Sequence, residues 1–283
     1  MKAIEKTAFP GLVPIRELGF YSREKIWDAW DLSADRSLLV ATDRMWINGT
    51  MVGVLPGKGR CLAELELFWA NFFKKSIGTF IISGDLSYAY NHSVWLQAWN
   101  NDLEGRTLVT RKVPIMPLRW VVGMELSGSC RVMSVSAKTG QELDSYKDAV
   151  LVLKKWISRN RIKDRETNKA LEAESLKRKM DSLAVCLFRK ASAHVTARRL
   201  SLCCSTLSFG WLDGAPVLAG DFFTPNSSSL SLPKDNGGFP DGIAKEWLVN
   251  KKWRPDEVVP KIPDQVLKKA TVGYQEILKR IRK

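Results

Sequence analysis

The sequence predicts an α+β fold, and three features predict it. The first third alternates apolar and polar residues in short runs separated by turn signals, as half-buried strands do. One stretch near the middle and two near the C-terminus repeat apolar residues at helical spacing. Strand and helix patterns do not interleave regularly, so a purely parallel βαβ sheet is not expected. At 283 residues and 45% apolar content the chain can build a core that needs no disulfides.

Taken in order, residues 25–31 alternate and read as a strand, 33–36 as a polar turn and 37–42 as a second short strand. Asn48-Gly49 is a turn signal ahead of an extended run at 51–55. Pro56-Gly57-Lys58-Gly59 is a Gly-rich loop that opens a helix over about 60–75, carried by Leu62, Leu65, Leu67, Phe68, Phe72 and Phe73. Further strands are expected near 79–82 and 107–111. Pro114 and Pro117 bracket a loop, and 120–124 is another strand. A long helix is expected over 167–199. There Met180, Leu183, Ala184, Leu187, Phe188, Ala191 and Val195 form the apolar stripe, and Asp181, Ser182, Arg189, Lys190 and Ser192 leave it. Runs at 200–207, 209–212 and 217–223 pair across Asp213-Gly214. Residues 224–242 read as loop, and 243–250 and 264–282 as helices.

The formal net charge is +14, and it is uneven. Residues 154–199 carry fourteen basic and five acidic side chains, a net +9. Thirteen of the fourteen are the candidate polyanion contacts, Lys154, Lys155, Arg159, Arg161, Lys163, Arg165, Lys177, Arg178, Lys179, Arg189, Lys190, Arg198 and Arg199, with 159–165 an exposed connector. Such a strip is either a solvated helix face or a docking surface for polyanion, and RNA or an acidic protein partner fits the second reading.

Cys61, Cys130, Cys186, Cys203 and Cys204 are odd in number and form no CxxC pair. His92 and His194 stand apart. Neither a disulfide framework nor a zinc site is expected, and a reducing intracellular compartment follows, with cytoplasm and mitochondrion equally open. No apolar run reaches the ~18 residues of a membrane span.

Several ordered segments resemble SAICAR synthetase, the purine-pathway ligase that joins aspartate to a carboxylated aminoimidazole ribotide using ATP. They begin at Lys25-Ile-Trp-Asp-Ala-Trp, Leu39-Val-Ala-Thr-Asp-Arg44 and Pro56-Gly-Lys-Gly59 with Leu67-Phe-Trp69. Thr110-Arg-Lys-Val, Val121-Val122, Leu126-Ser-Gly-Ser129, Ser208-Phe-Gly210 and Thr224-Pro-Asn-Ser-Ser228 follow. Ala244-Lys-Glu-Trp-Leu and Val258-Val-Pro-Lys-Ile-Pro match the closing helices. The resemblance implies a small antiparallel β domain, here residues 1–110, over an ATP-grasp-like α+β domain at 111–283. It implies ATP in the cleft between them, a metal held by carboxylates and basic groups for the ribotide phosphate.

Against that pattern Lys25, Lys58, Lys112, Asp43, Arg44, Ser127 and Ser129 match. Others do not. Gly123 replaces an arginine; Cys204, Thr206 and Ser208 replace an acid, a lysine and a glutamate; Gly220 and Asp221 stand for Asp-Glu; Asn226 and Ser229 replace an acid and an arginine. A serine hydroxyl cannot supply a carboxylate's charge to a metal. The expectation is therefore a non-catalytic relative kept as a basic binding or scaffold subunit of a ribonucleoprotein or other assembly, with no cofactor. Residual ATP would sit on Lys25, Lys58 and Lys112. The alternatives are an active ligase whose metal is held by Asp221 or Asp213, and a nucleotide-binding regulator without chemistry. Cys203 and Cys204 read as small apolar fillers of a former polar site.

Overall fold

The computed structural model describes residues 21–283 except 93–95, 98–99, 126, 164–169 and 234–238. It is an α+β protein built on two larger, mainly antiparallel sheets. The first runs β1 (Tyr21–Arg23), β2 (Trp27–Asp31), β3 (Arg36–Ala41), β8 (Thr107–Arg111), β7 (Ile81–Ser83). Trp30, Leu38, Val40 and Val109 fill one face of it against Leu86, Ala89 and Leu103. Those three come from the short helices α2 (Ser87–Tyr90) and α3 (Asn100–Leu103) and the turn before α2.

A hairpin of β4 (Arg44–Ile47) and β5 (Thr50–Val54) follows β3, turned by Asn48 and Gly49 at positive φ. It leads into α1 (Lys58–Phe73). Residues Lys58, Leu62, Leu65, Glu66, Trp69 and Phe73 recur at three- and four-residue spacing and form the buried face of α1. Gly59 is required at its start: a Cβ there would lie 2.3 Å from the Ala41 carbonyl oxygen.

The second sheet runs β10 (Cys130–Ser136), β9 (Ile115–Met124), β11 (Ser201–Leu212), β12 (Ala215–Leu218), β6 (Gly78–Thr79), with β13 (Ser228–Ser231) also on β11. Asp213 and Gly214 both take positive φ and close the β11–β12 hairpin, as the Asp-Gly signal predicts. One face of the sheet, with Leu118, Trp120, Val122, Leu207 and Phe209, packs under α4 (Tyr146–Asn160) and α5 (Ala173–Thr196). Leu65, Trp69 and Phe73 of α1 join the same core. Helices α6 (Pro240–Asn250) and α7 (Asp264–Ile281) close over α1 and the β4–β5 hairpin.

Four expectations are corrected. Pro117 lies inside β9, not in a loop. It falls where the β9–β11 register slips between Arg119↔Ser208 and Ile115↔Gly210, and there its missing N–H breaks no ladder bond. The segment expected to be loop at 224–242 contains β13, whose Ser-Ser-Leu-Ser has no apolar alternation to reveal it. The stretch read as an exposed connector at 159–165 begins inside a helix, α4, while the helix expected over 167–199 stands as α5. Arg161 at φ 52 ends α4, and Leu153, Trp156 and Ile157 anchor α4 in the core. The expected strand at 217–223 stops at Leu218, because Gly220 and Phe223 turn the chain at positive φ.

Candidate active site

Asp43 and Arg44 hold backbone. Asp43 Oδ1 accepts from the Gly59 N–H (2.8 Å) and pairs with the buried Arg106 (3.3 Å), which fixes the start of α1 beside β3. Arg44 donates to the Lys25 and Glu24 carbonyls and pairs with the buried Asp28 (2.8 Å). Both charges are fully buried yet have partners, the condition under which buried ions persist.

The positions that depart from the family pattern gather on the open face of the second sheet. Cys204, Thr206 and Ser208 share a half-buried face of β11, opposite Gly123, Val121 and Arg119 of β9. Ser229 reaches Cys204 (Oγ to Sγ, 3.1 Å). Gly220 lies over Ser208, where a Cβ would stand 3.5 Å from the Ser208 Cβ. The same face carries two exposed arginines. Arg131 of β10 is directly across from Gly123, and Arg119 is directly across from Ser208. Among the described residues neither arginine forms an ion pair with a carboxylate.

Beside this face lies a buried charged group. Asp221 accepts from the Thr224 hydroxyl and the Asn226 amide. The Phe222 N–H donates to Glu66 Oε1 (3.1 Å), which brings the Glu66 carboxyl beside Asp221. Burial first, then the Asp221 charge, pushes Glu66 well above the usual carboxylate range. Lys58 Nζ donates to Asp241 Oδ2 (2.9 Å) and sits 5.3 Å from the Tyr274 ring centroid. The Tyr274 hydroxyl is pushed well above its ordinary value by burial, then by Asp241 and, further down, Asp221.

The three expected ATP lysines occupy different surroundings. Lys25 is exposed before β2, Lys112 pairs with Asp31 at the far end of β2 (2.9 Å), and Lys58 is buried on Asp241. Asp213 lies in the hairpin turn with Arg111 (3.2 Å), at the opposite end of β11–β12 from Asp221. Ser127 and Ser129 are exposed and bond to each other (2.8 Å).

Of the basic strip, Lys154, Lys155, Arg159, Arg161, Lys163, Lys179, Arg189 and Arg199 are exposed. Lys177 turns inward onto Asp181, Arg178 pairs with Glu174, Lys190 donates to Ser76 Oγ (2.8 Å) and Arg198 to the His194 carbonyl. Arg165 lies outside the described residues. Cys203 and Cys204 are free thiols on β11. His194 packs on Phe68, Trp69 and Phe72.

Sequence reasoning missed Glu66, Arg119 and Arg131. Glu66 carried a signal: a lone acid in the apolar stripe between Leu62 and Trp69. The arginines carried none, because their place opposite Ser208 and Gly123 is set by strand register.

The chain belongs to the SAICAR synthetase family, whose model matches residues 22–256. The phosphoribosylaminoimidazole-succinocarboxamide synthase of Desulfosudis oleivorans is 26% identical, covering 98% of each chain. That of Syntrophobacter fumaroxidans is 25% identical, covering 98% of this chain and 95% of its own. The SAICAR-synthase of Saccharomyces cerevisiae complexed with SAICAR superposes with TM-score 0.79 at 18% identity, over 99% of this chain and 98% of its own. A type-2 SAICAR synthetase in complex with ADP gives 0.61 at 17% identity, over 93% and 97%. These findings overturn the expectation of a non-catalytic scaffold subunit. The relatives match end to end and are named as synthases, and solved structures of this fold include complexes with SAICAR and with ADP.

Proposed function

We propose that the chain is an ATP-dependent C–N ligase of purine biosynthesis that joins aspartate to carboxylated aminoimidazole ribotide. In that reaction the γ-phosphoryl group of ATP passes to a carboxylate oxygen. The aspartate amine then displaces phosphate, leaving ADP, phosphate and an amide. Little covalent work falls to the protein, so positioning and charge carry the rate.

The observation that carries the reading is a relocation of charge. Gly123 lacks the family's arginine, but Arg131 stands across the ladder from it, exposed on the same face. Cross-strand Cβ atoms lie about 4.5–5.5 Å apart. An Arg side chain on β10 therefore reaches the volume that one on β9 would serve, and can take a phosphate in a charge-assisted, bidentate contact. Arg119 adds a second cation over Ser208. The side-chain pattern fits a divalent cation with the nucleotide: Asp221, oriented by Thr224 and Asn226, presents a carboxylate at the edge of this face. When bound there, such a cation would neutralise phosphate oxygens.

The test is phosphate release by the purified chain with ATP, aspartate and the carboxylated ribotide. Release that requires all three is expected. A chain that binds the substrates and releases no phosphate overturns the proposal.

A further inference from the structure

We propose that Glu66, on α1, is a ligand of the nucleotide-associated divalent cation, pairing with Asp221 and supplying the carboxylate that is absent at Ser208. The inference rests on the ligase reading and adds to it a residue on a different element from the replaced one.

Glu66 is a buried acid that the fold alone does not explain. It is 1% exposed, among Leu62, Leu65, Trp69 and Phe73 on the buried face of α1. A carboxyl placed there costs several kcal/mol unless it is neutralised or paired. Oε1 accepts from the Phe222 N–H (3.1 Å), while Oε2 is buried with no hydrogen-bond donor among the described residues. The neighbour it meets is Asp221, another acceptor, whose two oxygens are already held by Thr224 and Asn226. Two carboxyls side by side with no donor between them need a proton or a metal ion.

The place of the pair favours the metal. Ser208 accepts the Ala219 N–H (3.0 Å) on its carbonyl and lies under Gly220, so the segment that carries Asp221 runs over the position of the absent glutamate. Glu66 approaches that segment from α1. Among the described residues no third Asp, Glu, His or Cys completes a protein cage. Mg²⁺ suits such a site, since it takes one or two carboxylates and completes its shell with phosphate oxygens and water.

The test is titration of Mn²⁺, read by the EPR signal of the free ion, into the full chain with a non-hydrolysable ATP analogue. Glu66→Gln is well suited, because its amide can keep the Phe222 bond and donate to Asp221. The variant is expected to melt no lower than the parent. Its Mn²⁺ affinity should fall at least about tenfold. Adding Ser208→Glu to it should restore affinity. Unchanged Mn²⁺ binding in Glu66→Gln overturns the inference, as does a parent chain that takes up no Mn²⁺ with the analogue. Should Glu66→Gln unfold, Asp221→Asn is read the same way: unchanged affinity counts against the pair and reduced affinity supports it. Mn²⁺ binding that depends on Glu66 in a chain without phosphate release leaves this inference standing and removes the ligase reading.

Discussion

Arg131 and Gly123 face each other across the β9–β10 ladder, a cation on one strand and bare backbone on the other. If the cation of the site has changed strands, Arg131→Gln should raise the KM for the ribotide with little change in kcat. A charge-assisted contact of about 1.5–3 kcal/mol corresponds to roughly 10- to 100-fold. Moving the charge back with Gly123→Arg in the Arg131→Gly background should recover most of it. Gly123 has room, since its nearest neighbour to an added Cβ is the Cys204 Cβ at 3.4 Å. Initial-rate kinetics of the three forms decide the matter.

The Lys58–Asp241 pair is asymmetric, and its two halves should not be equally costly to remove. Lys58 is buried, whereas the Asp241 side chain is 28% exposed. Asp241→Asn strands an ammonium in the interior, an expected loss of about 3–5 kcal/mol. Lys58→Met leaves a carboxylate that can turn toward water, and should cost less than half of that. Urea midpoints of the two variants provide the comparison.

Gly59→Ala should be far worse than Gly105→Ala. At Gly59 the new methyl meets the Ala41 carbonyl oxygen at 2.3 Å, so α1 must move off β3, a loss of at least about 3 kcal/mol. Gly105 has φ +72 and open space, so only the left-handed strain of about 1–2 kcal/mol applies. Thermal melts of the soluble fractions separate the two.

Glu66 gives stability a definite pH slope. Its folded-state pKa lies well above the ordinary 4.5. The folded protein therefore holds a proton that the unfolded chain releases, and stability falls as pH rises from about 4.5 through the raised value. Without divalent metal, Glu66→Gln should remove this slope. The Tm difference between variant and parent should widen in the variant's favour as pH increases from 4.5, measured in EDTA.

Whether polyanion binds the exposed cations Lys154, Lys155, Arg159 and Lys163 is read by heparin chromatography. Reversing the first three to Glu should bring elution from heparin to clearly lower salt, with a smaller salt dependence. The helix core of Leu153, Trp156 and Ile157 is untouched, so the Tm should hold.

Elements with strong local signals were legible. The alternation of β2 and β3, the Asn-Gly and Asp-Gly turns and the stripes of α1, α5 and α7 all appear near their expected places. The misses had a common cause. Pro117 in β9 and the serine-rich β13 owe their strand state to partners on β11, and no local pattern encodes a partner. The site divides the same way. The replaced residues could be read one at a time, but Glu66 beside Asp221, and Arg131 beside Gly123, are juxtapositions between distant segments. Counting charge by sequence position thus recorded the substituted groups and overlooked their neighbours.

Lys58 and Glu66 stand eight residues apart on α1, about 12 Å along its axis. One helix thus carries a group of each contact at a spacing its backbone fixes. One end is latched to α6 through Asp241, and the other presents a carboxyl to Asp221. The contact with α6 and the acidic pair are therefore spaced by helix geometry and not by a loop.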